Sequence, residues 1–374
     1  MQFILTDLQK EIKENAEKLL SEKIDNLETI RKIDDNTRLD EDIWKLVIEQ
    51  GWLALDVPEE DGGLGFSIVD AAILSEVLGY YMPIIPLFSS GVVFKQLVMH
   101  SNDELKGRVL PEIISGQKIG SYAVYENDKY EINKENIGSV IVKNDNGWVL
   151  NGTKKYVMFG DSSDYLAVLA KEEEEEFKFV LINKDAEGVS VNETTSLDQT
   201  RPMCEIEFKD VQVDKENMMI ELDEELSQWN KVKNIALSFL SMEQVGGAQA
   251  CLDMSTEYAK ERIQFGRPIG SFQAIQHICA NMLLQIESAK SLAYSSVRVD
   301  PEDSVELEMS ALMAKSYCSE VFNKAAGDNI QVHGGIGFTW EHPAHLYFKK
   351  AKSDSLLFGT SKSARSEIAN LINL

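Results

Sequence analysis

The sequence predicts an α+β protein with a helical domain, a small antiparallel sheet domain and a second helical domain, in that order. The hydrophobic period changes twice along the chain, from helical to alternating and back to helical. Turn dipeptides such as Asn-Gly and Glu-Gly separate the alternating segments. A chain of 374 residues also exceeds the length that one hydrophobic core usually supports. The predicted domains span residues 1–115, 116–225 and 226–374.

The first domain is predicted to be helical because its apolar residues recur at three- and four-residue spacing. This spacing occurs in LQKEIKENAEKLLSEKI, DIWKLVIEQGWLAL and AAILSEVLGYYM. Ser67 or Asp70 is placed to cap the third helix. These segments therefore predict at least three helices before residue 116.

The middle region is predicted to form an antiparallel sheet, since short segments rich in Val, Ile, Tyr and Phe alternate with turns. The segments are SYAVYE, GSVIVKND, GWVLNGTKKYV, DYLAVLAK, FKFVLINK, GVSVNE and CEIEFKDVQV. The acidic run Glu172–Glu176 between two of them is predicted to be a solvated hairpin loop. From about residue 226 the helical period returns and holds to the end, which predicts a helical bundle.

Composition excludes several classes of partner and site. A net charge of −25 and a pI near 4.6 argue against binding to nucleic acid or an anionic membrane. The four cysteines are scattered without CxxC pairing, so we expect core thiols and no metal site. No apolar run reaches the ~18 residues that a membrane span needs. The N-terminus is amphipathic and acidic and does not resemble a signal sequence, so a cytoplasmic location is expected.

Three short motifs in the last domain have the chemistry of a ligand site. In KERIQFGRPIGSFQAIQHICANM, Arg262 and Arg267 flank a Phe-Gly turn and Gln273 follows on the next helix, which suits a phosphate-bearing ligand, although surface charge is the simpler explanation. The glycines of QVHGGIGFTWEHP are explained equally well by a helix C-cap. In LLFGTSKSARSEIANLI, a Gly-Thr-Ser turn at the start of a helix offers free N–H groups to a polar ligand.

Together with GWLALDVPEEDGGLGFSIVDAAILSEVLG at residues 51–79, these motifs in their order and spacing resemble the acyl-CoA dehydrogenase family over essentially the whole chain. The resemblance implies a C-terminal four-helix bundle and an FAD held between the sheet domain and the C-terminal helical domain. It also implies a base that removes the α-proton of an acyl-CoA thioester while the β-hydride passes to the flavin. An electron-transfer flavoprotein would then reoxidise the flavin.

This chain departs from the family at the catalytic base. Family members commonly carry a Glu immediately before the Gly-Thr turn, and this chain has Phe358 at that position. The resemblance also implies that Thr360, in the turn itself, contacts the flavin. Other members carry the base on the first long helix of the C-terminal domain, where the matching residue is Ala236. Glu243 lies seven residues further along that helix, within ~20° of the same face and ~10 Å along the axis. Glu243 is thus a candidate for a relocated base; the alternative is a buried glutamate paired with an Arg or a helix end.

The predicted flavin contacts divide into a lost set and a kept set. The family's loop with Thr-Glu-Pro-Gly and Gly-Ser-Asp motifs is YENDKYEINKENIGS here, which keeps Glu126 but loses the Pro, the glycines and the Ser-Asp. Met158 replaces the hydroxyl that faces the reactive edge of the flavin, and Lys362 replaces a usual Gln. In the family, these residues contact the subunit's own flavin. The kept residues match those that the family lends to the flavin of a neighbouring subunit: Arg262, Phe265, Gln273, Gln331, Gly334 and Gly335.

This division predicts a base-lacking subunit that completes the FAD site of a second, complete acyl-CoA dehydrogenase chain. Three alternatives remain open: a self-sufficient homomeric dehydrogenase that uses Glu243, an acyl-CoA-binding or assembly protein without flavin, and a family member with another flavin chemistry such as oxygen-dependent oxidation. Acyl-CoA and electron-transfer flavoprotein are the other expected partners. The expected assembly is a dimer or tetramer.

Overall fold

The computed structural model describes residues 5–25, 27–127, 129, 132, 133, 135–145, 147–172 and 176–374. The chain divides into two compact units. Unit 1 consists of Met1–Thr37, Ser67–Pro83 and Leu237–Leu374, and unit 2 consists of Arg38–Phe66 and Ile84–Ala236.

Helices dominate both ends of the chain, and strands occupy its middle. The helices are α1 (Asp7–Lys23), α2 (Glu28–Asp34), α3 (Glu41–Glu49), α4 (Ile68–Tyr81), α5 (Lys95–Met99), α6 (Asp103–Ile114), α7 (Ser227–Glu261), α8 (Gln273–Ser296), α9 (Ser304–His333), α10 (Ala344–Asp354) and α11 (Ser361–Leu371). The strands are β1 (Gly120–Ala123), β2 (Val140–Asn144), β3 (Gly147–Met158), β4 (Tyr165–Glu172), β5 (Phe177–Asn183), β6 (Val189–Thr194), β7 (Met203–Val213), β8 (Met218–Glu221), β9 (Ile263–Gln264) and β10 (Arg267–Pro268). The predicted α+β class is confirmed.

Unit 1 is mostly helical, and one of its helices begins where the sequence predicts a cap. Ser67 and Asp70 form a reciprocal capping box at the start of α4, so both predicted capping residues take part. Every residue of α4 from 69 to 79 is buried, and most of these residues are apolar, as expected of a helix in the core.

Helices α4 and α7 approach each other closely at two glycines. A Cβ on Gly246 would lie 1.8 Å from the carbonyl oxygen of Glu76, and a Cβ on Gly79 would lie 1.9 Å from that of Glu243. Only glycine allows this backbone separation. The close contact fixes the position of Glu243 against α4.

Unit 2 contains an eight-stranded sheet whose order is β6-β7-β3-β2-β4-β5-β8, with β1 paired to β4. Most neighbouring strands are antiparallel, as predicted. However, both β1 and β2 run parallel to β4, so the prediction of a purely antiparallel sheet is wrong at these two pairings. Alternation of apolar residues identifies a strand and its buried face, but it does not specify the direction of the neighbouring strand.

Helices α2, α5 and α6 match none of the segments quoted for the first domain. The sequence prediction also lacks the edge strand β8, the two-stranded hairpin β9–β10 and a fully buried π-helical segment at Leu87–Phe94. Residues 173–175 of the predicted acidic loop lie outside the described part of the chain, as do four residues of the 125–139 segment, 128, 130, 131 and 134. Among the residues that are described, no helix is long and apolar enough to cross a membrane.

Candidate active site

The turn before α11 carries a buried aromatic ring at the predicted base position. Phe358 is 8% exposed and has a φ of 56°, a left-handed conformation that is unusual for a bulky side chain. Thr360 is the N-cap of α11: its Oγ1 accepts a hydrogen bond from the Ser363 N–H at 3.1 Å, and its own N–H donates to Ser363 Oγ at 2.8 Å. The polar groups of this turn therefore cap the start of α11. The side chain at position 358 is a phenyl ring, which cannot accept a proton.

Glu243 lies on α7 and forms a buried ion pair with α10. Its Oε1 is 2.6 Å from Lys350 Nζ, and Lys350 Nζ is also 3.7 Å from an Oδ2 of Asp354. Lys315, on α9, donates a hydrogen bond to the Asp354 carbonyl at 2.6 Å. All four side chains are buried. Two lysines and two carboxylates therefore balance each other's charge inside unit 1, and their contacts connect α7, α9 and α10.

The second family position for a base, Ala236, is also on α7 and is fully buried. Its methyl group cannot accept a proton. The chain thus has no carboxylate at either usual base position, and the carboxylate of the predicted candidate Glu243 is engaged by a lysine.

The hairpin after α7 and the helix start that follows it carry the first group of residues predicted to contact a neighbour's flavin. Arg262 follows the last turn of α7, and its carbonyl accepts a hydrogen bond from the Ile269 N–H at 2.8 Å. Phe265, at the tip, is 91% exposed and has a φ of 53°. Gln273 is the first residue of α8 and is also exposed. A cation, an aromatic ring and an amide are therefore displayed on one exposed segment.

The end of α9 presents the second group, Gln331, Gly334 and Gly335, all of which are exposed. Beside them, the ring of His333 stacks on Tyr258 of α7 at 4.3 Å between centroids. The Arg262 N–H donates to the Tyr258 carbonyl at 2.8 Å. The stacked rings therefore place the end of α9 next to the start of the hairpin, so the two groups of residues share one region of unit 1.

The imidazole rings of two histidines pack together in the segment between α9 and α10. The His333 and His342 rings lie 4.1 Å apart, and Nδ1 of His342 accepts a hydrogen bond from the Ala344 N–H at 3.2 Å. Burial, and then the nearby imidazoles of His333 and His345, lowers the pKa of His342 to about 4. His342 is therefore a neutral acceptor that helps to start α10 at ordinary pH.

In unit 2, the predicted flavin-facing position is buried. Met158 is 2% exposed, its sulfur accepts a hydrogen bond from the Tyr122 hydroxyl at 3.7 Å, and its carbonyl accepts one from Ser121 Oγ at 2.6 Å. Tyr156 and Phe159 on either side both have positive φ, 59° and 50°. Met158 thus packs into the protein's own interior and offers no hydrogen-bond donor to a ligand.

Glu126, in the segment that matches the family's Thr-Glu-Pro-Gly loop, is held by a buried lysine. Lys154 Nζ lies 2.5 Å from Glu126 Oε1 and 3.1 Å from the Val124 carbonyl, to which it donates. Burial lowers the pKa of Lys154 to about 8, against the opposing charge of Glu126. The carboxylate of Glu126 also accepts the N–H of Ser139 at 2.9 Å. This pair closes the start of the loop onto β3.

Sequence reasoning missed Lys350 and Asp354, the partners of the Glu243 network. The only sequence signal for them was a lysine followed four residues later by an aspartate in a helical segment, which is typical of an exposed helix face. Their burial depends on how α7, α9 and α10 pack. Lys362, by contrast, is exposed, as a hydrophilic residue in a first helical turn usually is.

The two sets of residues differ in their fit to FAD, which has an anionic pyrophosphate between two aromatic ring systems. The exposed set offers a guanidinium, two amides and an aromatic ring, and these suit the pyrophosphate and adenosine part of a flavin that another chain holds. A Cβ on Gly334 or Gly335 would meet nothing within 4 Å, so this surface is open to a neighbour. The buried set, Met158 and Phe358, offers neither a hydrogen-bond donor nor a base to the reacting end of a flavin.

Comparison with known proteins covers the whole length of the chain. Family models match the acyl-CoA dehydrogenase N-terminal domain at residues 6–117, the middle domain at 122–211 and the C-terminal domain at 238–372. A relative, acyl-CoA dehydrogenase IpdE2 of Mycobacterium tuberculosis, is 29% identical over 85% of this chain and 82% of its own length.

Two solved structures have the same fold. An FAD-dependent dehydrogenase is 26% identical with a TM-score of 0.88, and the match covers 100% of both chains. A chain of the ChsE4–ChsE5 complex from Mycobacterium tuberculosis is 23% identical with a TM-score of 0.88, and the match covers 100% of this chain and 99% of that one. The predicted family, fold class and cofactor are thereby confirmed. The chain belongs to the acyl-CoA dehydrogenase family, whose members are FAD-dependent oxidoreductases that act on acyl-CoA.

Proposed function

We propose that this chain is the base-lacking subunit of a heteromeric acyl-CoA dehydrogenase, in which it completes the FAD site of a second family member. One observation carries the proposal. The residues predicted to serve a neighbour's flavin are exposed, whereas Met158 and Phe358, at the positions that would serve the chain's own flavin and substrate, are buried. A random loss of function would not sort residues in this way.

The chemistry of proton removal supports the same assignment. Desaturation of an acyl-CoA needs a base with a free lone pair close to the α-carbon. Phe358 and Ala236 have no such lone pair, and Glu243 is 2.6 Å from the ammonium group of Lys350. In this proposal the partner supplies the base, and Glu243 serves the packing of unit 1.

The role of this chain in the complex is to bind and orient the partner's cofactor. Arg262 would pair with the pyrophosphate, Phe265 would cover an aromatic part of the cofactor, and Gln273 and Gln331 would donate or accept hydrogen bonds. We further propose that Thr360 contributes to what remains of this chain's own flavin site. When bound, FAD supplies the hydride acceptor, and an electron-transfer flavoprotein is the proposed acceptor of its electrons.

One of the structural relatives provides a precedent for an assembly of two different chains. The structural relative named above comes from a complex of two proteins, ChsE4 and ChsE5. A heteromer also explains why selection would keep the lent residues while the chain's own flavin contacts were lost.

The flavin content of the purified protein tests the proposal. Expressed alone, the chain should carry well below one FAD per protomer, as measured by absorbance of the released flavin against protein concentration. Expressed with a family member that has intact Glu-Gly-Thr and Gly-Ser-Asp motifs, it should form a complex with about one FAD per pair of chains. A yellow homomer with one FAD per protomer that oxidises an acyl-CoA would refute the proposal in favour of a self-sufficient enzyme.

A further inference from the structure

We propose that Arg267 is a positioning residue that holds the β9–β10 hairpin, residues 263–268, in the conformation that binds a neighbour's flavin, before a partner is present. The inference rests on the proposed function, because it concerns how the exposed hairpin is prepared to complete another chain's FAD site. Arg267 directly follows the Phe265–Gly266 turn. The sequence groups it with Arg262 in a motif that suits a phosphate-bearing ligand, whereas the structure places its guanidinium against an aromatic ring of the protein.

The evidence is a stack of three side chains at the base and tip of the hairpin. The guanidinium of Arg267 lies 4.2 Å from the centroid of the Phe272 ring, and the same ring forms a T-shaped pair with Phe265 at 6.1 Å between centroids. Phe272 is the N-cap residue of α8, directly before Gln273. The stack therefore connects the hairpin to a fixed helix end.

The hairpin needs such support because its backbone pairing is minimal. Each strand has two residues, and the pairing joins Arg267 to Gln264 and Pro268 to Ile263. Isolated two-stranded hairpins are at best marginally stable in water. The left-handed backbone of Phe265 adds a further local cost. A contact outside the ladder is thus required to keep Phe265 and Arg262 in one arrangement.

Holding the hairpin in advance lowers the entropic cost of binding. A flexible hairpin would have to be ordered when the partner's flavin binds, and that ordering would weaken binding. Arginine suits this role better than lysine, since its planar guanidinium stacks on an aromatic face. The carbonyl of Arg262, bonded to the Ile269 N–H across the hairpin, is positioned by the same fold.

Hydrogen exchange of the chain alone tests the stack without a partner. In Arg267→Ala, amides in residues 262–272 should exchange about twofold to fivefold faster, the effect of losing one exposed cation–aromatic pair. Arg267→Lys should give a smaller increase. Lys260→Ala is the matched control, because Lys260 is an exposed cation near the same helix end that pairs with Glu257 at 2.6 Å; it should leave the hairpin unchanged.

A double-mutant cycle with Phe272→Leu separates stacking from other effects of the charge. Once the ring is gone, Arg267→Ala should add no further increase in exchange. Unchanged exchange in Arg267→Ala, or an equal increase with and without the Phe272 ring, would overturn the proposal.

The same cycle in the complex tests whether positioning matters for FAD. With the co-purified complete family member, Arg267→Ala should weaken FAD binding about twofold to fivefold in the presence of Phe272 and not in its absence. A loss that persists in Phe272→Leu would make Arg267 a direct flavin contact and overturn its positioning role. If no complex forms, the proposed function fails, and the exchange cycle in the free chain still decides whether Arg267 holds the hairpin.

Discussion

The buried ion pair between Glu243 and Lys350 can be broken from either side, and the two substitutions should differ in cost. Lys350→Met leaves the carboxylates of Glu243 and Asp354 in the interior without the ammonium group that lies 2.6 Å and 3.7 Å from them. Removing one partner of a buried pair typically costs about 3–5 kcal/mol of folding free energy. Glu243→Gln keeps a hydrogen-bond acceptor and leaves Lys350 near Asp354, so we expect a smaller loss of about 1–3 kcal/mol.

Urea unfolding followed by far-UV circular dichroism, with hydrogen exchange of α10 as a local probe, measures both effects. The double variant Glu243→Leu with Lys350→Met should recover much of the lost stability, because apolar side chains can replace a buried pair. The exposed pair Lys260–Glu257 provides a matched control, and Lys260→Met should change stability by less than about 1 kcal/mol.

The competing hypothesis gives a different result for Glu243→Gln. If Glu243 were a relocated base, turnover of an acyl-CoA would fall by ~10²–10⁴ or more. In the proposed heteromer, turnover should remain near that of the unmodified complex. Unchanged stability together with lost turnover, at constant flavin content and assembly, would show that Glu243 is the base and that the structural interpretation of the ion pair is wrong.

Substitutions at three further positions test the remaining parts of the site. Arg262→Ala should release FAD from the complex with the fold intact, since a charge-assisted contact is worth roughly 1.5–3 kcal/mol. Arg262→Lys should restore only part of the binding, and full retention of FAD in Arg262→Ala would mean that the arginine is only a surface charge. Phe358→Glu should not create dehydrogenase activity in the chain alone, as checked by acyl-CoA-dependent dye reduction; appearance of activity would mean that the chain holds its own flavin. The pKa of His342, lowered to about 4 by burial and then by His333 and His345, lies below that of the unfolded ring, so stability should fall as the pH drops from about 6.5 through 4. His342→Asn keeps an acceptor and should lose this part of the acid sensitivity, and an identical thermal-unfolding profile for both proteins would contradict that assignment.

Much of the fold follows from local patterns in the sequence. The spacing of apolar residues identifies α1, α4 and α9 and most strands of the sheet, because a helix or strand that buries one face must repeat its own period. Capping is also local: Ser67 and Asp70, three residues apart, form the predicted cap of α4. The family and its cofactor follow from motifs that are contiguous in the chain. The domain boundaries at residues 115 and 225 and the list of site residues stay predictions.

The direction of strand pairing was not determined locally. β1 and β2 both run parallel to β4, and nothing in the local sequence of either strand distinguishes a parallel from an antiparallel neighbour. The hairpin β9–β10 has only two residues in each strand, too few for a period to be recognised.

The sequence by itself determined which side chains are present at the usual base and flavin positions, and hence that Phe358 and Ala236 cannot remove a proton. Only the tertiary structure decided what surrounds those positions. Glu243 and Lys350 are far apart in the chain, and they meet because α7 and α10 pack together in unit 1. The burial of Met158 and the exposure of Phe265 likewise depend on which surfaces the folded chain covers, since the free energy of a charge or a ring depends on its neighbours in space and not on its neighbours in sequence.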